Sequence, residues 1–122
     1  MSYTLHLPLK GKWYEMIESG VKIEEYREIK PYWVQRLCVW SDGRKIGKSD
    51  AEFLASNISY LISAIDEGKI LFVNCTYVKF SFGYTKRTME FDVKGIVLGK
   101  GNPAWGAPDE VVFIIKLGRR VA

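Results

Sequence analysis

The sequence predicts a small α+β fold: a curled sheet or barrel of five to six mostly antiparallel strands with two or three flanking helices. Three observations carry this. Strand patterns fill the second half of the chain one after another. Two earlier stretches space their apolar residues at helical intervals and are each closed by a glycine. The length of 122 residues, 48% hydrophobic and 26% charged, suits one domain with one core, so residues 1–122 are read as a single unit.

The first strand is YTLHLPL, with Leu5 and Leu7 on one face, Thr4 and His6 on the other, and Pro8 expected to end it. Leu9, Trp13, Met16 and Ile17 then form an apolar stripe along a short helix, which assigns Trp13 to the core. Gly20 stands where a left-handed C-terminal cap belongs. Residues 22–29, KIEEYREI, have a period of two and read as a second strand. Ile23, Glu25, Arg27 and Ile29 share one face, and Lys22, Glu24, Tyr26 and Glu28 share the other. If the isoleucines face inward, Glu25 and Arg27 go with them, and ions removed from water must pair or serve a ligand.

KPYWVQRLCVW opens with a proline suited to a first helical turn and gives a short helix, then a strand around 37–40. SDGRKIGK is a basic loop. Ser49 and Glu52 match a capping box, and Leu54, Ile58, Leu61, Ile62 and Ile65 form one long helical stripe that ends before Gly68. The remainder is strands: ILFVN; TYVKFSF; RTMEFDVKGIVL, with a bulge expected at Gly95; and VVFIIKL, apolar enough to be covered on both faces.

Several function classes lose support at this level. No stretch of about 18 uncharged apolar residues offers a membrane helix, and MSYTLHLPLKGKW lacks the order of a signal peptide, so a cytoplasmic location is expected. Cys38 and Cys75 sit in separate apolar runs and read as reduced core thiols. His6 is the sole histidine, and the acidic residues are dispersed, so no metal site or other cofactor is expected. GRKIGKS resembles a phosphate-binding loop, but only three residues separate Gly43 from Gly47 where that loop needs four. The net charge of +4 favours a polyanionic partner without naming one. Oligomeric state cannot be read from these residues.

GVKIEEYR fits Gly-x-Lys-x-x-Glu-x-Arg through Gly20, Lys22, Glu25 and Arg27. This pattern resembles the signature of the ASCH superfamily, the PUA-like relatives of activating signal cointegrator homology domains. LHLPLKGKWYEMIESG before it, and EIKPYW, GYTKRTMEFDVKGI and the AWGAP to FIIKLG ending after it, are similar to bacterial and phage members. Residues 41–69 fall outside the family's minimal core and read as a possible helical insertion.

The resemblance implies a small PUA-like β-barrel with a cleft that binds RNA or a modified nucleoside or nucleotide. Lys22 and Arg27 would hold phosphate oxygens, and Glu25 would accept from a base edge or orient Arg27. Trp105, in a Gly/Pro-rich loop, is the first candidate to stack on an unpaired base, followed by Tyr26 and Trp33. Arg36, Arg44, Lys45, Lys48, Lys86, Arg87, Arg119 and Arg120 could add a basic rim.

A second branch of the superfamily deacetylates N4-acetylcytidine with a threonine nucleophile three residues after the lysine. Glu25 occupies that position here, and a carboxylate cannot replace an attacking hydroxyl, although it could act as a base for water. Ribonuclease activity is also credited to some members, and would use Lys22 and Glu25 as acid and base. Since an ideal strand puts those two on opposite faces, this requires a bulge or a strand-end position for Lys22.

Overall fold

A computed structural model describes residues 3–122 of the chain. The strands are β1 (Thr4–Leu9), β2 (Glu24–Arg27), β3 (Cys38–Trp40), β4 (Ile70–Phe72), β5 (Tyr77–Phe82), β6 (Thr88–Lys100) and β7 (Val111–Arg120). The helices are α1 (Gly11–Glu18), α2 (Pro31–Leu37), α3 (Lys48–Ser56) and α4 (Ile58–Asp66), with a 3₁₀ turn at Pro103–Trp105. Five strands in the order β1-β5-β6-β7-β2 make one strongly curled half-barrel sheet, and β3 and β4 form a separate antiparallel pair. In the main sheet only β1 and β5 run parallel.

The α+β class and curled sheet are as expected, but the element count is higher. The run at 37–40 pairs with ILF outside the main sheet. The long stripe from Ser49 is not one helix, because Asn57 adopts φ −130° and ψ 69° and its side-chain amide donates to the Phe53 carbonyl at 2.7 Å. The chain then restarts as α4. The expected capping box is also absent: Gly47 is the N-cap of α3, and Ser49 lies inside the first turn. Pro8 does not end β1, which continues to Leu9. As β1 is an edge strand, a missing N–H on its open side breaks no ladder bond.

Apolar alternation places the core correctly on most strands. Leu5, Leu7, Val78, Phe80, Met89 and Phe91 are buried, and the register of β6 shifts between Phe91 and Gly95, after which Ile96 points inward. Val112 to Ile115 are all buried, because β7 is covered on both faces. Phe113 and Ile115 join the main core, while Val112 and Ile114 pack with Tyr26 and Ala107 in a second small cluster. β2 pairs with β7 so that Glu25 stands opposite Ile115 and Tyr26 opposite Ile114. The signature strand therefore sits between two apolar clusters.

Residues 41–69 are part of the core: Ile46, Ala51, Leu54, Leu61 and Ala64 are buried in the main cluster, and α3 packs on α2. Cys38 and Cys75 are free and buried, and burial pushes the Cys38 thiol up to about 12, which leaves it protonated and unreactive. No helix of the described residues is long and apolar enough to cross a membrane.

Candidate functional site

The site begins with the end of α1. Gly20 takes φ +84°, a conformation open to glycine, and the backbone N–H of Lys22 returns to the Met16 carbonyl at 3.0 Å. This turn, and not strand alternation, aims the Lys22 side chain. The strand starts only at Glu24, so Ile23 lies outside it and is 55% exposed. The expected inward isoleucine face is corrected accordingly: Glu25 points inward without Ile23.

Lys22 Nζ lies 3.0 Å from Glu25 Oε1, and Arg27 Nη1 lies 3.1 Å from Glu25 Oε2. Lys22 is 2% exposed and Glu25 4%. One carboxylate thus bridges two cations, and Lys22 occupies the strand-end position that cooperation with Glu25 requires. The ammonium also donates to the Trp105 carbonyl and stands 5.0 Å and 4.9 Å from the ring centroids of Trp13 and Tyr26. Lys22 is enclosed and offers no free face to a ligand. It acts through Glu25.

Trp13, assigned to the core by its stripe, is a half-buried wall of this cage. Tyr14 is the fully buried aromatic of α1. Periodicity does not separate a ring at the core's rim from one at a site, but Gly106 does give a clue. A Cβ built there, at φ +96°, would lie 2.9 Å from the Trp13 ring. Trp105 contributes its carbonyl, while its half-buried ring packs against the second cluster.

Tyr26 is 8% exposed and ties the strand to the following loop: its hydroxyl donates to Glu24 Oε1 at 2.8 Å and accepts from the Asn102 N–H at 3.0 Å. Burial pushes this phenol up to about 12; the Asn102 N–H opposes the shift, and the neighbouring Glu24 carboxylate adds to it. Above its ordinary value near 10, an unfolded Tyr26 loses its proton while the folded one keeps it, so stability falls as pH rises from about 10 to about 12. Tyr26→Phe should flatten that alkaline fall, measured as melting temperature against pH. An unchanged slope would contradict the buried placement.

Arg27 is the member of the chain that reaches outward. Its Nη2 lies 3.4 Å from the Pro8 carbonyl, and its guanidinium stands over the Trp33 ring at 5.2 Å. Its Nε is buried with no hydrogen-bond partner among the described residues. A concavity of about 210 Å³ lies beside it, lined by Tyr26, Arg27, Glu28, Lys30 and Trp33. That volume is below the roughly 300–1,000 Å³ typical of small-molecule sites, so it has room for one flat or anionic group while the rest of a ligand stays outside.

Of the sequence-level candidates, Lys22, Glu25, Tyr26 and Trp105 form one packed unit, and Arg27 and Trp33 border its open side. The rim cations divide: Arg44 pairs with Asp42 and Arg87 with Glu18, whereas Arg36 and Lys45 line a separate concavity. Among the described residues, no group of three His, Cys, Asp or Glu side chains could hold a metal ion. Comparison with family models, curated proteins and solved structures finds no match to the chain.

Proposed function

We propose that the protein binds single-stranded RNA or a modified nucleoside or nucleotide at the concavity beside Arg27. The carrying observation is the buried Lys22–Glu25–Arg27 chain, whose last cation borders that concavity. Desolvating ions costs several kcal/mol per group, more than an apolar replacement would, so stability alone does not account for the arrangement. Fixing a guanidinium in one orientation for an anionic or base-edge partner does account for it. The Trp33 ring backs the Arg27 guanidinium and helps to fix its orientation at the edge of the concavity. The resemblance of GVKIEEYR to the ASCH signature points to the same ligand class.

Equilibrium titration with a short single-stranded RNA and with N4-acetylcytidine at low salt tests the reading. Arg27→Ala should weaken binding about tenfold or more and lessen its salt dependence. Trp33→Ala should weaken it while leaving the salt dependence intact. Affinity unchanged in both variants, with folding verified by thermal melts, would overturn the reading.

The 3.0 Å contact between Lys22 and Glu25 favours a second reading, hydrolysis of an acylated nucleoside or of RNA, with Glu25 as base for water and Lys22 as its partner. Burial of both groups weighs against it, since a substrate would have to displace the Trp105 segment. Acetate release or RNA cleavage by the intact protein, abolished in a folded Lys22→Gln variant, would establish catalysis over binding alone.

A further inference from the structure

A second concavity, of about 490 Å³, opens where the end of α2 meets β3 and the link from β4 to β5. Its walls are apolar at Val39 and Val73, and its polar groups are Tyr3, Gln35, Arg36, Lys45 and Asn74. No carboxylate lines it. Neither cation forms an ion pair among the described residues: Arg36 Nη1 donates to the neutral Tyr32 hydroxyl at 2.9 Å, and the only backbone bridge at Lys45 joins it to Val39. The guanidinium of Arg36 is held over the Tyr32 and Trp33 rings at 5.6 Å and 5.5 Å, so it is oriented before any ligand arrives. Asn74 is presented by a tight turn in which the Cys75 N–H bonds the Val73 carbonyl at 2.8 Å. Gln35 already donates its amide to the Ile46 carbonyl at 3.1 Å, which leaves two cations without an ion-pair partner and the Asn74 amide to make a field and a donor set suited to an oxyanion.

We propose that this concavity is a phosphate-binding site, with Arg36 and Lys45 supplying the charge and Asn74 a neutral donor. It does not rest on a ligand being bound beside Arg27. The phosphate can belong to a free anion or mononucleotide, or to an RNA backbone. The chemistry is shared, and the probes separate the sources.

The test titrates the intact 122-residue chain at low salt with inorganic phosphate, with adenosine monophosphate and with a fluorescent single-stranded RNA of about ten nucleotides. Lys45→Glu, an exposed substitution with little risk to folding, should weaken binding about tenfold or more, and Arg36→Gln should do the same. Each should lower the RNA salt slope by about one. Lys86→Glu is the matched control for the two small probes: it lies in the turn at the other end of β5, roughly 20 Å away, and should leave phosphate and mononucleotide binding unchanged. Losses for phosphate and the mononucleotide support a free-anion site, and losses for RNA alone support a backbone site. Absence of binding to all three probes, or an equal loss for the small probes in Lys86→Glu, overturns the proposal. Loss in Lys45→Glu with none in Arg27→Ala leaves this site standing while the reading of the Arg27 concavity fails.

Discussion

Glu25→Ala should destabilise the fold by about 3–5 kcal/mol, because it strips the shared carboxylate from a lysine that is 2% exposed. The residual contacts of Lys22, the Trp105 carbonyl and the faces of Trp13 and Tyr26, cannot replace a full opposite charge. Arg27 loses less, since its side chain is 20% exposed and can turn to water. Glu25→Gln should cost less than alanine, as an amide oxygen still accepts from one cation. The informative comparison is the double variant Lys22→Met with Glu25→Gln. Replacing a buried pair by groups of similar volume is close to neutral, so the double should recover to within about 2 kcal/mol of the native protein although each half alone does not. Denaturant unfolding measures Glu25→Ala, the two single halves and the double, with the slope checked for constancy. A loss below about 1 kcal/mol in Glu25→Ala would mean that the carboxylate is not the bridge described.

That bridge was half visible in the sequence. The pattern Gly20, Lys22, Glu25, Arg27 names its members, and period two correctly turns Glu25 inward. The reason expected for it, a shared face with Ile23, is wrong, because alternation holds only while the backbone is extended and hydrogen-bonded in register. The turn that returns the Lys22 N–H to Met16 delays the strand to Glu24. Nothing in the spacing of residues 22–29 encodes that delay; it follows from how α1 ends.

The same limit explains the broken helix. The apolar stripe from Leu54 to Ile65 keeps helical phase across Asn57, yet an asparagine side chain that captures the Phe53 carbonyl breaks the backbone ladder without disturbing the stripe. Long-range closures were illegible in principle. Period two puts Tyr26 on the face of Lys22, but Trp13 and Trp105 reach Lys22 from α1 and from the loop after β6, and local periodicity carries no information about such meetings. The apolar run of β7 was legible because burial on both faces leaves a direct compositional mark.

Gly101→Ala should cost about 2–3 kcal/mol by overpacking and should also weaken ligand binding beside Arg27. The added methyl would lie 2.6 Å from Tyr26 Cζ and 2.7 Å from the Ala107 Cβ, and closer still to Tyr26 Cε1. A flexible side chain would step aside, but Tyr26 is fixed at both ends, its hydroxyl between Glu24 and Asn102 and its ring against the Lys22 ammonium. Relief therefore requires either breaking those hydrogen bonds or displacing the 101–107 segment, which carries the Trp105 carbonyl away from Lys22. Both routes disturb a wall of the concavity, since Tyr26 lines it. Gly95→Ala supplies the contrast. Its Cβ would meet nothing within 4 Å, its φ is not positive, and it should remain within about 1 kcal/mol of the native protein. Thermal melts and RNA titrations of the two variants in parallel decide the matter: equal stability in both would show that the loop and the signature strand are not mechanically joined through Tyr26.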